Sequence, residues 1–208
     1  MNRFLGLFAI AALASLGLSG CYPGGADFTE DLDLVYTNYD DQFNFESRNT
    51  YALPDKIVVD IEINQITGDT TYEYMKDVYA QPILARIDAN MADYGWTKVN
   101  VDADPDVLLM PAGIKNTTYI YYYWYDWWYG GYWPGWGWYY PPSWGVSSYT
   151  TGTLLVTMAD PTNDSPIGQS STAWLMAGNG LLTNSGNIDR VLSAIDQAFQ
   201  QSPYLNKN

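Results

Sequence analysis

The chain has 208 residues, and 9 Lys and Arg stand against 23 Asp and Glu, for a formal net charge of −14. With no histidine and a single cysteine, it cannot build a His-dependent catalytic triad or dyad, His-ligated zinc, an intrachain disulfide or a cysteine metal cluster. The shortage of basic groups argues against a nucleic-acid partner, while 47% hydrophobic and 15% charged residues are the composition of one packed domain.

The first segment in chain order reads as an address. Residues 1–21 are MNRFLGLFAIAALASLGLSGC. Arg3 supplies a positive start, Phe4 to Leu18 an apolar run, and Ser19 and Gly20 the small residues that a peptidase cleft accepts. Leu18-Ser19-Gly20-Cys21 resembles the lipobox of bacterial lipoproteins, with cleavage between Gly20 and Cys21 and a thiol able to form a thioether to diacylglycerol. Each buried CH₂ of the attached acyl chains contributes about 0.8 kcal/mol to anchoring. The uncharged stretch from Phe4 to Ala26 is nominally long enough to span a bilayer, but Gly17, Gly20, Pro23, Gly24 and Gly25 break its second half. The expectation is a signal peptide over 1–20, a lipidated Cys21 and a flexible acidic tether over 21–33 (CYPGGADFTEDLD). Tyr22 stands where Asp would favour inner-membrane retention. By resemblance to enterobacterial sorting, this implies an outer-membrane address in a Gram-negative envelope, in the periplasmic leaflet or at the cell surface. The acidic run after Cys21 also resembles the surface-export signal of some phyla.

The folded part begins with Leu34–Tyr39 (LVYTNY), rich in β-branched and aromatic residues and read as a strand. A polar break at Asp40-Asp41-Gln42 precedes Phe43 and Phe45. Thr50–Leu53 is a second short strand closed by Pro54, and Ile57–Ile63 alternates apolar residues with Asp60 and Glu62 as a half-buried strand. Ile83, Ile87 and Met91 recur every four residues, with Leu84 alongside, and predict a helix over 79–93 with Pro82 in its first turn and Gly95 as C-terminal cap. Asp106–Met110 is a short buried strand ended by Pro111. Thr150–Asp160 is the clearest strand, with Leu154, Val156 and Met158 on one face and Leu155 and Thr157 on the other. A turn at 161–166 leads to a returning strand, Ser171–Met176. A last helix over 188–201 carries Ile188, Val191, Leu192, Ile195 and Phe199 on one stripe, with Asn187 as cap and Ser202-Pro203 as stop. These elements predict a single α+β domain over 34–205, an antiparallel sheet with two amphipathic helices packed on one face.

Tyr119 to Trp144 (YIYYYWYDWWYGGYWPGWGWYYPPSW) holds nine Tyr and seven Trp in 26 residues, with Asp126 its one charge. It reads as a strand to Trp128, a Gly- and Pro-rich loop, and a return toward Tyr149. Three uses fit. The rings can fold over the sheet as a packed layer, keeping OH and NH tips wet. Flat faces of Trp124, Trp127, Trp128, Trp133, Trp136, Trp138 and Trp144 can stack on sugar rings, with neighbouring Asp or Asn bonding hydroxyls. The same tryptophans can insert at a membrane interface, without help from basic charge.

Other candidates are weaker. Asp102-x-Asp104-x-Asp106 has the alternate-acid spacing of a calcium loop, but Val107 and Gly113 stand where that loop needs Gly and Glu, so a solvated turn is expected. Asp40 and Asp41 could pair as acid and base, yet neighbours in a strand face opposite ways. No catalytic residue, metal or cofactor is expected, and the chain does not read as an enzyme.

Several stretches together resemble the DUF4136 lipoproteins of Gram-negative bacteria: Tyr39-Asp40 with Phe43 and Thr50-Tyr51; Gly95-Trp96; Asp104-Pro105-Asp106-Val107; Tyr149-Thr150-Thr151-Gly152-Thr153-Leu154; Trp174; and a terminal helix with Ala194-Ile195, Phe199 and Ser202-Pro203-Tyr204-Leu205. The similarity covers roughly 34–205. It implies an exported, lipid-anchored domain without an established activity, and no catalytic residue carries over. Residues 119–144 are denser in rings than a typical member implies and read as a specialised insertion. Trp96, Trp174 and Phe199 are expected where helices meet sheet, Thr50 and Tyr51 at a strand edge, and a bulge at Gly152-Thr153. The function expected is structural or binding, with membrane, envelope glycans or envelope proteins as partners.

Overall fold

The computed structural model describes residues 35–63, 67, 70–114, 152–161, 172–182 and 188–208, all within one compact unit spanning Asp33–Asn208. The runs rich in Val, Ile, Thr and Tyr form strands: β1 Val35–Tyr39, β2 Thr50–Ala52, β3 Val58–Ile63, β4 Thr70–Tyr74, β5 Thr97–Lys98, β6 Val107–Ile114, β7 Thr153–Ala159 and β8 Thr172–Gly178. The two segments of helical period form α1, Asp77–Asp93, and α2, Ile188–Gln200. Short 3-10 turns lie at Phe45–Ser47, Val101–Ala103 and Pro203–Leu205.

These strands make one sheet in the order β1-β8-β7-β6-β2-β5, with β3 also beside β6 and β4 on β3. The contiguous run β1, β8, β7, β6 is antiparallel, as is the β3–β4 hairpin. β2 runs parallel to β5 and β6, and β3 parallel to β6. The sheet is therefore mixed, which corrects the expectation of an antiparallel one. Between β2 and its neighbours β5 and β6 the chain passes through α1, and a return through a helix delivers the next strand parallel.

Both proline expectations also change. α1 starts at Asp77, so Pro82 sits inside the helix rather than in its first turn. The bond lost there is the one to the carbonyl four residues back, on Val78, a residue 70% exposed. Pro111 does not end β6, which continues to Ile114 with Pro111 opposite Val156. On the other side of β6 the pairing with β2 stops at Leu108 and the contact with β3 falls at Ala112. Pro111 lies between the two partners, where a missing N–H interrupts no ladder on that side. Two strands absent from the sequence reading, β4 and β5, are short partners added to strands already present.

Alternation along β6–β8 divides the core. Leu109, Leu154, Val156, Met158, Trp174 and Met176 share one cluster with Ile83, Ile87 and Met91 of α1 and Val191, Ile195 and Phe199 of α2. Each such buried aliphatic or aromatic side chain is worth about 1.5–3 kcal/mol relative to exposure. The α2 stripe turns slightly from the one expected: Ala194 and Ala198 are buried, while Ile188 and Leu192 are only partly so. Arg86 of α1 and Asp196 of α2 pair at 2.9 Å, and Asn90 donates to the other Asp196 oxygen at 2.9 Å, tying the helices together. Trp96, Trp174 and Phe199 are buried in this cluster, as expected. The buried indole of Trp174 donates to Ser202 Oγ at 2.8 Å, that of Trp96 donates to the Leu205 carbonyl at 2.8 Å, and the Tyr94 hydroxyl donates to the Phe199 carbonyl at 2.7 Å. The C-terminal turn is thus held by two buried indole donors, each of which needs a partner once buried, while the partly buried Tyr94 ties the end of α2 to α1.

Candidate functional site

Gly20, Cys21 and the seven tryptophans Trp124, Trp127, Trp128, Trp133, Trp136, Trp138 and Trp144 lie outside the described residues, as do Thr150, Thr151 and Asn187. The structure does place the root of the aromatic segment. β6 ends at Ile114, and Thr153, the first residue of β7, is its Cα partner. The Gly152 N–H donates to the Ile114 carbonyl at 2.7 Å, and the Leu182 N–H donates to the Gly152 carbonyl at 2.8 Å. Thr153 Oγ1 donates to Asn179 Oδ1 at 2.8 Å, so the turn after β8 is tied to the same point. Gly152 has φ +86, a left-handed conformation that favours glycine. The β6–β7 register runs unbroken from Leu108 to Ile114, and at its end Gly152 and Thr153 both stand against Ile114, one through its N–H and the other as Cα partner, which is the arrangement of a glycine bulge at the step where one was expected.

Two of the acids singled out in the sequence, Asp106 and Asp40, are engaged by the backbone. One oxygen of Asp106 accepts from the Asn49 N–H at 2.8 Å, the Thr50 N–H at 2.9 Å and the Thr50 hydroxyl at 2.9 Å, and the Asp106 N–H donates back to Thr50 Oγ1 at 2.9 Å. Burial opposes ionisation of Asp106, but these donors and nearby Arg48 outweigh it and hold its carboxyl below the ordinary value. Asp106 is therefore the latch between the start of β2 and the start of β6 and not a solvated turn. Asp104 adopts φ 51 at the bend before it. Asp40 accepts from the Gln42 N–H at 2.9 Å. Among the described residues no group of three or more His, Cys, Asp or Glu could hold a metal.

Thr50 and Tyr51 do not lie at a sheet edge, because β2 has β5 on one side and β6 on the other. Tyr51 is buried and donates its hydroxyl to Asp88 Oδ1 at 2.5 Å, and Lys98 pairs with the same oxygen at 3.1 Å. Burial first, then the hydrogen bond and the charge of Asp88, push the Tyr51 phenol far above its ordinary value. Elsewhere Arg48 pairs with buried Asp160 at 2.8 Å and lies over the Phe43 ring. Lys207 donates to the carbonyls of Phe45 and Arg48 and sits 4.3 Å from the centre of the Trp96 ring. Burial lowers the Lys207 ammonium below its ordinary value, partly offset by Asp106 and Glu46. Tyr39 stacks on Tyr204 at 3.8 Å and, 41% exposed, caps a cluster with Phe43 and Phe45. Asp88 and Lys207 escaped the sequence reading, and Ser202 entered it only as a helix stop and as part of the family motif, not as the acceptor of a buried indole. The only trace of the Asp106 latch was the co-occurrence of Thr50-Tyr51 and Asp104-Pro105-Asp106-Val107.

A mixed sheet with two helices, tied through Asp106, Trp96 and Trp174, defines an α+β domain. Residues 35–204 match the family described as a domain of unknown function, DUF4136, and the chain belongs to that family. The crystal structure of a DUF4136 family protein from Bacteroides thetaiotaomicron VPI-5482 is similar, with a TM-score of 0.59 and 27% identity over 85% of this chain and 98% of that one. No curated protein matches the chain.

Proposed function

We propose that this chain is a lipoprotein of the Gram-negative cell envelope, with no catalytic activity and a structural or binding role. Residues 1–20 are its signal peptide, Cys21 carries the acyl chains, and residues 21–33 tether the domain to the membrane. The two helices cover one face of the sheet, and residues 119–144 are the contact element, most directly for the outer membrane or its surroundings. The observation that carries this reading is positional. The chain's only cysteine is the fourth residue of Leu18-Ser19-Gly20-Cys21, immediately behind a positive start and an apolar run. Among the described residues, no helix is long and apolar enough to cross a membrane. Feeding cells radioactive palmitate tests this. The wild-type chain takes up label and the Cys21→Ser chain does not; label that persists without Cys21 refutes the reading.

A second reading concerns the contact element. Sixteen Tyr and Trp in 26 residues with one charge favour a stacking platform for envelope glycans, because ring faces cover the apolar faces of sugars. Titration with cell-wall polysaccharides then shifts tryptophan fluorescence in the wild type and not after deletion of 126–144. Vesicle binding by the unlipidated chain, lost when Trp133 and Trp136 become Ala, assigns the rings to the membrane interface instead.

A further inference from the structure

The two faces of β6–β8 differ in what covers them. The face bearing Leu109, Val156 and Trp174 shares its cluster with α1 and α2. The opposite face is formed by Ala112, Ile114, Leu155, Leu175 and Ala177, and all five are buried, Leu175 and Ala177 completely. Among the described residues this cluster draws only on the strands themselves. A sheet face withdrawn from water requires a second layer against it.

The chain outside the described residues narrows the candidates. Residues 162–170 (TNDSPIGQS) and 183–187 (TNSGN) are short and polar, with one large apolar side chain between them, and 22–33 carries four acids. Residues 115–151 are long, hold the sixteen rings of 119–144, and begin and end on this face. They leave from Ile114, a member of the cluster, and return through Gly152 to Thr153, its partner across the ladder. The face measures about 15 by 20 Å, three strands wide and a strand length deep. Its apolar members are Ala, Leu and Ile, whereas the helix-bearing face also carries Met and Trp.

We propose that residues 115–151 form the second layer of the domain, laying Tyr and Trp rings on the face made by Ala112, Ile114, Leu155, Leu175 and Ala177. A face of this size takes only some of the sixteen rings, since each can bury about 150–250 Å². The rest remain for an outside contact. This inference goes beyond the proposed function and depends neither on acylation nor on a glycan.

The test uses the chain's single thiol. In the Cys21→Ser full chain, Ala177→Cys places one cysteine on this face and Ala198→Cys places one under the helices. Both are expected to resist maleimide until the chain is unfolded in urea. Replacing 119–144 with a Gly/Ser linker is expected to speed labelling at 177 by about tenfold or more and to leave 198 protected. Protection of both sites after the replacement overturns the proposal, and so does rapid labelling at 177 in the full chain. A diazirine-bearing leucine analogue in the unaltered wild-type chain decides the matter even where the replacement unfolds the domain. Cross-links from Leu155 or Leu175 into 119–144 of the same molecule support the second layer. Cross-links to another segment, or between isotopically distinct copies, overturn it.

Discussion

Substituting Asp106 by Ala tests the latch that joins β2 to β6. The carboxylate oxygen accepts three hydrogen bonds, from Asn49 N, Thr50 N and Thr50 Oγ1. The Asn49 donor is exposed and can turn to water, so its loss is small. The two Thr50 donors are part-buried, and each bond of this kind contributes about 0.5–1.5 kcal/mol, more when the acceptor is charged. Together they set a destabilisation of about 2–3 kcal/mol, or a fall in Tm of about 5–10 °C for a domain of this size. Urea and thermal unfolding of the unlipidated chain at pH 7 measure it, with Asp106→Asn, which keeps an acceptor but loses the charge, falling between wild type and Ala. The pH dependence gives an independent check. The folded pKa of Asp106 lies below its unfolded value, near 3.9 for an aspartate. Its ionised form therefore contributes stability in full above the unfolded pKa, and the contribution disappears as pH falls through the folded pKa. The gap between wild type and Asp106→Ala should be constant from about pH 7 to 5 and shrink below about pH 4. A gap under about 0.5 kcal/mol at pH 7, or one unchanged in acid, refutes the latch.

Three further outcomes follow from the same contacts. Ser202→Ala leaves the buried Trp174 N–H without its acceptor and should cost about 1–3 kcal/mol, while Ser202→Ala with Trp174→Phe should cost less than the sum of the two in a double-mutant cycle. Gly152→Ala must place a side chain at φ +86 and should destabilise by about 1–2 kcal/mol in chemical denaturation; unchanged stability would mean that the root of the aromatic segment does not hold the left-handed turn. Tyr51→Phe removes the bond to Asp88 from a buried phenol and should cost about 1–2 kcal/mol, whereas Lys98→Ala, whose partnership with Asp88 lies at the surface, should cost under about 0.5 kcal/mol. A larger effect from Lys98 than from Tyr51 would reverse the order of importance assigned to these two partners of Asp88.

The elements with a strong period were legible in the sequence. β7 shows Leu154, Val156 and Met158 on one face because a half-sheet must alternate. α1 and α2 show their stripes because each buries a single side. The family, too, could be read from short motifs in order. Asp106 could not be read correctly: three acids at alternate positions look like a solvated turn until Thr50, far away in the chain, is brought beside the third. Pro111 looked like the end of a strand because a proline's missing donor matters only through the neighbour it would have served, and the change of partner from β2 to β3 is invisible along one chain. β4 and β5 were missed because each owes its extended form to a strand it pairs with.

Composition and local pattern alone excluded histidine chemistry, set the charge, marked Cys21 and the ring-rich 119–144 as the distinctive features, and indicated both helices and the strongly periodic strands. These depend on residues within a turn or two of one another. Tertiary structure decided that the sheet is mixed, that Asp106 and Ser202 are structural acceptors, and that the aromatic segment is rooted at the Ile114–Thr153 pair. Those outcomes belong to contacts between residues distant in sequence, whose free energy appears only when both partners have been desolvated together.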